Sequence, residues 1–164
     1  MMIFTANYTM VTLVAAIAAT LAATATAALG WPVWAMFIGW VAFFTGESTI
    51  KGSLATFGCL AIGIILGNFA ATVVGLLMPS LGFLAFAPVV FVVAFIVVTL
   101  RAVSVLNNIP AYFLGLIAFF AAHIPPSLAS VATLLAITAL GSFAAYCTRY
   151  LQSRLMQRNN ASTH

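Results

Sequence analysis

The sequence predicts an all-α integral membrane protein of about six transmembrane helices, arranged as two inverted three-helix repeats in a single membrane domain spanning residues 1–164. Composition comes first: 65% of the 164 residues are hydrophobic and 4% are charged, with a mean hydropathy of +1.25. A soluble core of this size could not hide so much apolar surface. The second observation is an internal echo, FIGWVAFF at 37–44 followed by SLAT at 53–56, which recurs as FLGLIAFF at 113–120 and SLAS at 127–130. A repeat of an odd number of spans inserts its two copies upside down, which is the plan of many channels and transporters. The third is the placement of the five Lys and Arg residues.

The first apolar run, from about Tyr8 to Leu29, is long enough to cross a hydrocarbon core of about 30 Å. Ala23-Thr24-Ala25 resembles a cleavage site, but the run lacks a basic flank and reads as a retained span. Trp31 to Phe44 is short and is stopped by the polar stretch Thr45 to Lys51. A third run, about Gly52 to Leu77, ends at Met78-Pro79-Ser80. The fourth, Leu81 to Leu100, is dense in Val and Phe and closes at Arg101. Pro110 opens a short fifth run to Ala122, which Pro125-Pro126 separates from the sixth. That sixth run, Leu128 to about Tyr150, leads into a cytoplasmic tail, 151–164. The repeat halves are about 8–77 and 81–150.

With six spans, Lys51, Arg101, Arg149, Arg154 and Arg158 all fall on the side of the termini, and the other side carries no Lys or Arg. The positive-inside rule then puts both termini in the cytoplasm. The two short runs occupy the same place, second of three, in each half. Paired short segments with Gly or Pro breaks point to a midplane site in inverted-repeat transporters.

Several residues stand out against their ordinary structural roles. Ala55, Cys59, Gly63, Gly67, Ala71 and Gly75 recur at four-residue spacing and predict a close-packing face, within one protomer or between protomers of a homo-oligomer. Cys59 and Cys147 lie in apolar runs and read as small buried hydrophobes. Asn68 and Thr72 sit one turn apart and call for an interhelical hydrogen bond, or a solute. Asn108, before Ile109-Pro110, reads first as a helix cap. Glu47, the only acid, precedes Lys51 by four residues and suggests a surface helical pair; under the repeat it aligns with His123, so the two mark opposite mouths of one path. Just inside each mouth, Phe43-Phe44 and Phe119-Phe120 either fill the bundle or constrict a pore, with Phe44 and Phe120 narrowing it. Tyr8, Trp31 and Trp34 read as interfacial anchors.

The pattern WAMFIGWVAFF at 34–44, with Lys51-Gly52 and NIPAYFLG at 108–115, resembles a family of small bacterial inner-membrane proteins of unknown function. The resemblance implies a bacterial inner-membrane location and no substrate. The residues themselves favour a channel or facilitator for a small neutral or weakly polar solute such as urea, an amide or ammonia, the substrate class resting on analogy. A proton-coupled transporter would draw on Glu47 and His123, and a non-transporting subunit on the small-residue stripe. No His/Asp/Glu cluster or nucleophile triad suggests an enzyme, no cofactor or metal is expected, and the dispersed charge does not suit nucleic acid. Reporter fusions after Lys51, Ser80, Arg101, Ser127 and the tail should alternate in, out, in, out, in; two adjacent sites on one side would overturn the six-span topology.

Overall fold

A computed structural model describes residues 6–161; the Arg158 side chain and tail residues 162–164 lie outside the described part. The described residues form helices and turns: α1 Ala6–Ala28, α2 Val33–Phe44, α3 Ile50–Leu81, a 3-10 turn Gly82–Ala85, α4 Phe86–Leu100, a second 3-10 turn Ser104–Leu106, α5 Ile109–Ala121 and α6 Leu128–Ala161.

The helix ends follow local chemistry. Gly30 ends α1 at φ 68°, a left-handed conformation that glycine adopts without strain. Pro32 is extended and leads into α2. Thr49 caps α3 by accepting from the Gly52 amide, Asn108 caps α5 through Ala111, and Ser127 accepts from Ser130 at the start of α6. Buried Thr26, Thr138 and Thr148 donate to carbonyls four residues earlier, so their hydroxyls need no partner from another helix.

Two helix pairs dominate the packing, α3 with α5 and α2 with α6. Both run parallel. Along the first, Thr56 meets Asn108, Gly63 meets Tyr112, and Gly67 meets Phe119. Along the second, Gly39 meets Thr138 and Phe43 meets Tyr146. Each crossing is backbone against backbone and uses one glycine from each side. A Cβ on Gly63 would overlap the Tyr112 carbonyl, and one on Gly115 the Leu60 carbonyl; a Cβ on Gly39 would overlap Thr138, and one on Gly141 the Met36 carbonyl. Lipid offers no hydrophobic drive for helix association, so such contacts must come from close approach. The stripe of α3 therefore serves an intramolecular crossing at Gly63 and Gly67, with Cys59 fully buried and Ala71 partly so. Gly75, the last of the stripe, has open space around its Cα.

One end of the bundle gathers four parts of the chain. A groove holds Lys51 beside Ser104 and Asn107; another holds Ser48 and Ser53 beside Arg149 and Ser153; and Gln152 donates to the Val11 carbonyl of α1. The start of α1, the α2–α3 turn, the α4–α5 connection and the last turns of α6 thus share that end, and the α5–α6 connection with His123 lies at the other.

Among the described residues three stretches are long and apolar enough to cross a membrane: Tyr8–Ala28, Ile50–Leu100 and Leu128–Gln157; Val33–Phe44 and Ile109–Ala121 are shorter apolar helices. The 51-residue middle stretch is not one rod. Gly82, at φ 55° and ψ −139°, turns the chain so that α4 lies back on α3 and α5. The outside is apolar: Phe83 is 81% exposed and Phe91 71%, as suits a chain solvated by lipid.

Two boundaries depart from expectation. α3 continues through Pro79 to Leu81 rather than ending at Leu77, because the breaking element is Gly82, beyond the Met78-Pro79-Ser80 signal. The tail is not separate at 151 but continues α6 to Ala161; Leu151, Leu155 and Met156 supply enough helix-favouring sequence to carry it on. Replacing Gly115 or Gly39 by Leu should lower stability by at least about 2 kcal/mol, since overpacking a tight contact forces backbone shifts. Gly75→Leu should cost far less, and thermal unfolding in detergent micelles reads both.

Candidate functional site

The site is built where α2 ends, α3 begins and the α4–α5 connection arrives. Asn108 is its knot. As the cap of α5 its Oδ1 accepts from the Ala111 amide at 3.2 Å, while Nδ2 donates to Thr45 Oγ1 at 2.9 Å and Thr56 Oγ1 at 3.1 Å. One carboxamide thereby ties the end of α2 and the first turns of α3 to the start of α5. Thr45 passes its own proton to the Ala42 carbonyl at 2.7 Å, so its oxygen is free to accept. Gly46 is required at close quarters, because a Cβ there would overlap the Thr56 hydroxyl.

Beside this knot opens a cavity of about 560 Å³, lined by Thr45, Glu47, Lys51, Thr56, Ser104 and Asn107 with Asn108. Its lining combines hydroxyls and carboxamides with one carboxylate and one ammonium, so it offers hydrogen bonds without a strong net field. Deeper, the bundle closes. Tyr112, one turn past Asn108, is fully buried and donates to the Leu106 carbonyl at 3.1 Å. Cys59, Leu60 and Ile64 fill the interior beyond it.

The other residues singled out in the sequence fall in different places. Glu47 is an exposed cavity wall, and because α3 starts only at Ile50 it lies in the turn, so it does not form the expected i,i+4 helical pair with Lys51. His123 sits exposed at the opposite end with φ 51°, its Nδ1 2.8 Å from the Ala121 carbonyl. The phenylalanines divide within each pair. Phe43 and Phe119 are buried, and Phe44 and Phe120 are 50% and 42% exposed. A constriction made of Phe44 and Phe120 is therefore not what the packing provides: helical rotation turns adjacent residues about 100° apart, and the inner places go to Phe43 and Phe119. Both pairs are edge-to-face, with centroids 5.3 Å and 6.1 Å apart. Thr72 donates back to the Asn68 carbonyl of its own helix, so the expected interhelical bond from it is not made, and the half-buried Asn68 leaves its Oδ1 enclosed without a partner.

Sequence reasoning missed two features here. Thr45 and Thr56 hold Asn108, and no local signal in the sequence marks either for it. Arg149 was read only as an orientation charge; its guanidinium lies 4.0 Å from the Phe43 ring centroid and 5.8 Å from that of Phe44. Such a stack contributes about 0.5–1 kcal/mol when exposed and about 2 kcal/mol when desolvated, and half-buried Arg149 lies between those limits. The available signal is an arginine following an apolar stretch of α6, a placement that costs energy unless the guanidinium finds a partner.

The family model described as Protein of unknown function (DUF1097) matches residues 11–152. No curated protein and no solved structure matches the chain.

Asn108→Ala removes a cap and both hydroxyl contacts, and should cost about 1–3 kcal/mol in thermal unfolding. Asn108→Asp keeps the cap acceptor but not the donors and should fall between the two. Equal stability of all three proteins would show that the knot holds nothing.

Proposed function

The chain belongs to DUF1097, a family of unknown function, and from the geometry we propose that it is a membrane facilitator for a small neutral or weakly polar solute, which enters through the cavity at Asn108. The observation that carries this reading is the cavity itself: hydrogen-bonding groups are collected at the seam between the two halves of an otherwise apolar bundle. Irregular backbone at the ends of short helices is tolerated at membrane depth where protein or a water-filled cavity meets its free groups. The end of α2 and the start of α5, the two short helices, meet the cavity here.

The reading includes six alternating spans in a bacterial inner membrane, with both termini cytoplasmic and the halves related by an inverted repeat. Two observations support it. The parallel pairs α2–α6 and α3–α5 exchange under a swap of halves, as do Gly39 and Gly115 within them. The four chain segments gathered at one end are also those that six alternating helices would leave on one side, and they bring Lys51 and Arg149 with them. Uncoupled passage fits better than proton coupling, because Glu47 and His123 sit exposed at opposite ends and no other acid or histidine occurs among the described residues. Passage requires the packing around Tyr112 to open.

Stopped-flow measurements on proteoliposomes test the proposal with urea, formamide, glycerol and ammonia. At least one solute should equilibrate several-fold faster than in protein-free vesicles. Ala55→Trp, which would fill the cavity from its wall, should bring that rate close to the protein-free value while the protein remains folded. If no solute moves faster than through lipid alone, the facilitator reading fails and a non-transporting subunit takes its place.

A further inference from the structure

We propose that the groove around Arg149 is a binding site for a phosphate group, carried either by an anionic phospholipid or by free phosphate. This groove, of about 310 Å³, is separate from the Asn108 cavity and is lined by Phe43, Ser48, Tyr146, Arg149, Tyr150 and Ser153 among others.

Stacking on Phe43 addresses only one face of the guanidinium. The five N–H donors of arginine lie in its plane and are directed away from a ring below it. Two of the nitrogens that carry them, Nε and Nη2, are enclosed and have no hydrogen-bond partner. Arg149 is half-buried, and enclosed donors left unmet on a cation cost energy that an anion beside it offsets. The chain has one acidic side chain, Glu47, and it belongs to the wall of the other cavity. No described acidic side chain supplies a counter-charge for Arg149, and an external anion would meet the guanidinium at Nη1, its unenclosed nitrogen, from the groove.

The hydroxyls narrow the ligand class. Ser53 and Ser153 donate to the carbonyls of Thr49 and Tyr150 and have no proton to spare. The Tyr150 hydroxyl accepts from Arg154 Nε and Nη2, which leaves its own proton free to donate. Tyr150 thus presents a donor already polarised by a second arginine. The unenclosed Nη1 of Arg149, with a hydroxyl donor beside it, suits an oxyanion better than a neutral ligand. The aromatic rings of Tyr146 and Tyr150 beside the groove suit the depth of lipid headgroups.

The test uses the full chain in dodecyl maltoside, titrated with phosphatidylglycerol, with phosphatidylcholine and with inorganic phosphate, read by native mass spectrometry for lipid retention and by thermal unfolding for phosphate. Preferential retention of phosphatidylglycerol with no phosphate response assigns the site to a lipid headgroup, and a phosphate-dependent rise in unfolding temperature without lipid preference assigns it to free phosphate. Arg149→Met, which keeps the length of the chain, should weaken the responding ligand about ten- to a hundred-fold. Should that variant not fold, Tyr150→Phe, which keeps the ring, should weaken it about fivefold. Neither ligand class binding the wild type, or undiminished binding in the variant that folds, would overturn the proposal.

Discussion

The structure depends on backbone approaching backbone. In a bundle whose surroundings are as apolar as its own side chains, burying leucine releases no water, and association rests on contact area and on hydrogen bonds. The chain meets that condition at two crossings, Gly39 and Gly141 for α2 on α6 and Gly63 and Gly115 for α3 on α5. Each glycine removes the one atom that would hold the partner helix away. The short helices can then seat against the long ones over most of their length, and Met36, Leu60, Ile64, Tyr112 and Ile137 become fully buried around the contacts.

Those crossings also decide where polar groups gather. α2 and α5 are short, so their ends fall beside the flanks of α3 and α6 rather than beyond them. Thr45, Thr56 and Asn108 meet because the end of α2 and the start of α5 arrive at one level of α3. The same shortness sets the end of α2, with Phe43, against the last turns of α6, and so places the ring beneath Arg149. Two polar features on either side of the α2–α3 turn thus share one geometric origin. They differ in chemistry: the Asn108 side is satisfied by its own bonds and opens on a mixed cavity, whereas the Arg149 side leaves donors unmet.

The ends of α2 and α5 are alike in one respect and differ in what they meet. Edge-to-face phenylalanines occur in both. Phe43 then meets Tyr146 and Arg149, while Phe119 meets the backbone-lined face at Gly67.

The sequence by itself determined the lipid-like composition, the helical class, the two short helices and nearly every break, because these depend on local propensity and on hydropathy summed over a window. It also marked Asn108 as a cap and α3 as a close-packing helix, since capping and four-residue spacing are local signals. Tertiary structure alone decided the rest. Whether Phe43 or Phe44 turns inward depends on the azimuth of α2 against α6, which adjacent identical residues do not encode. That α3 spends its stripe on α5 of the same chain, that Asn108 reaches two threonines more than fifty residues away, and that Arg149 stacks on Phe43 are all consequences of which helices cross. Such contacts are set by the joint fit of distant surfaces, and no stretch of the chain carries them alone.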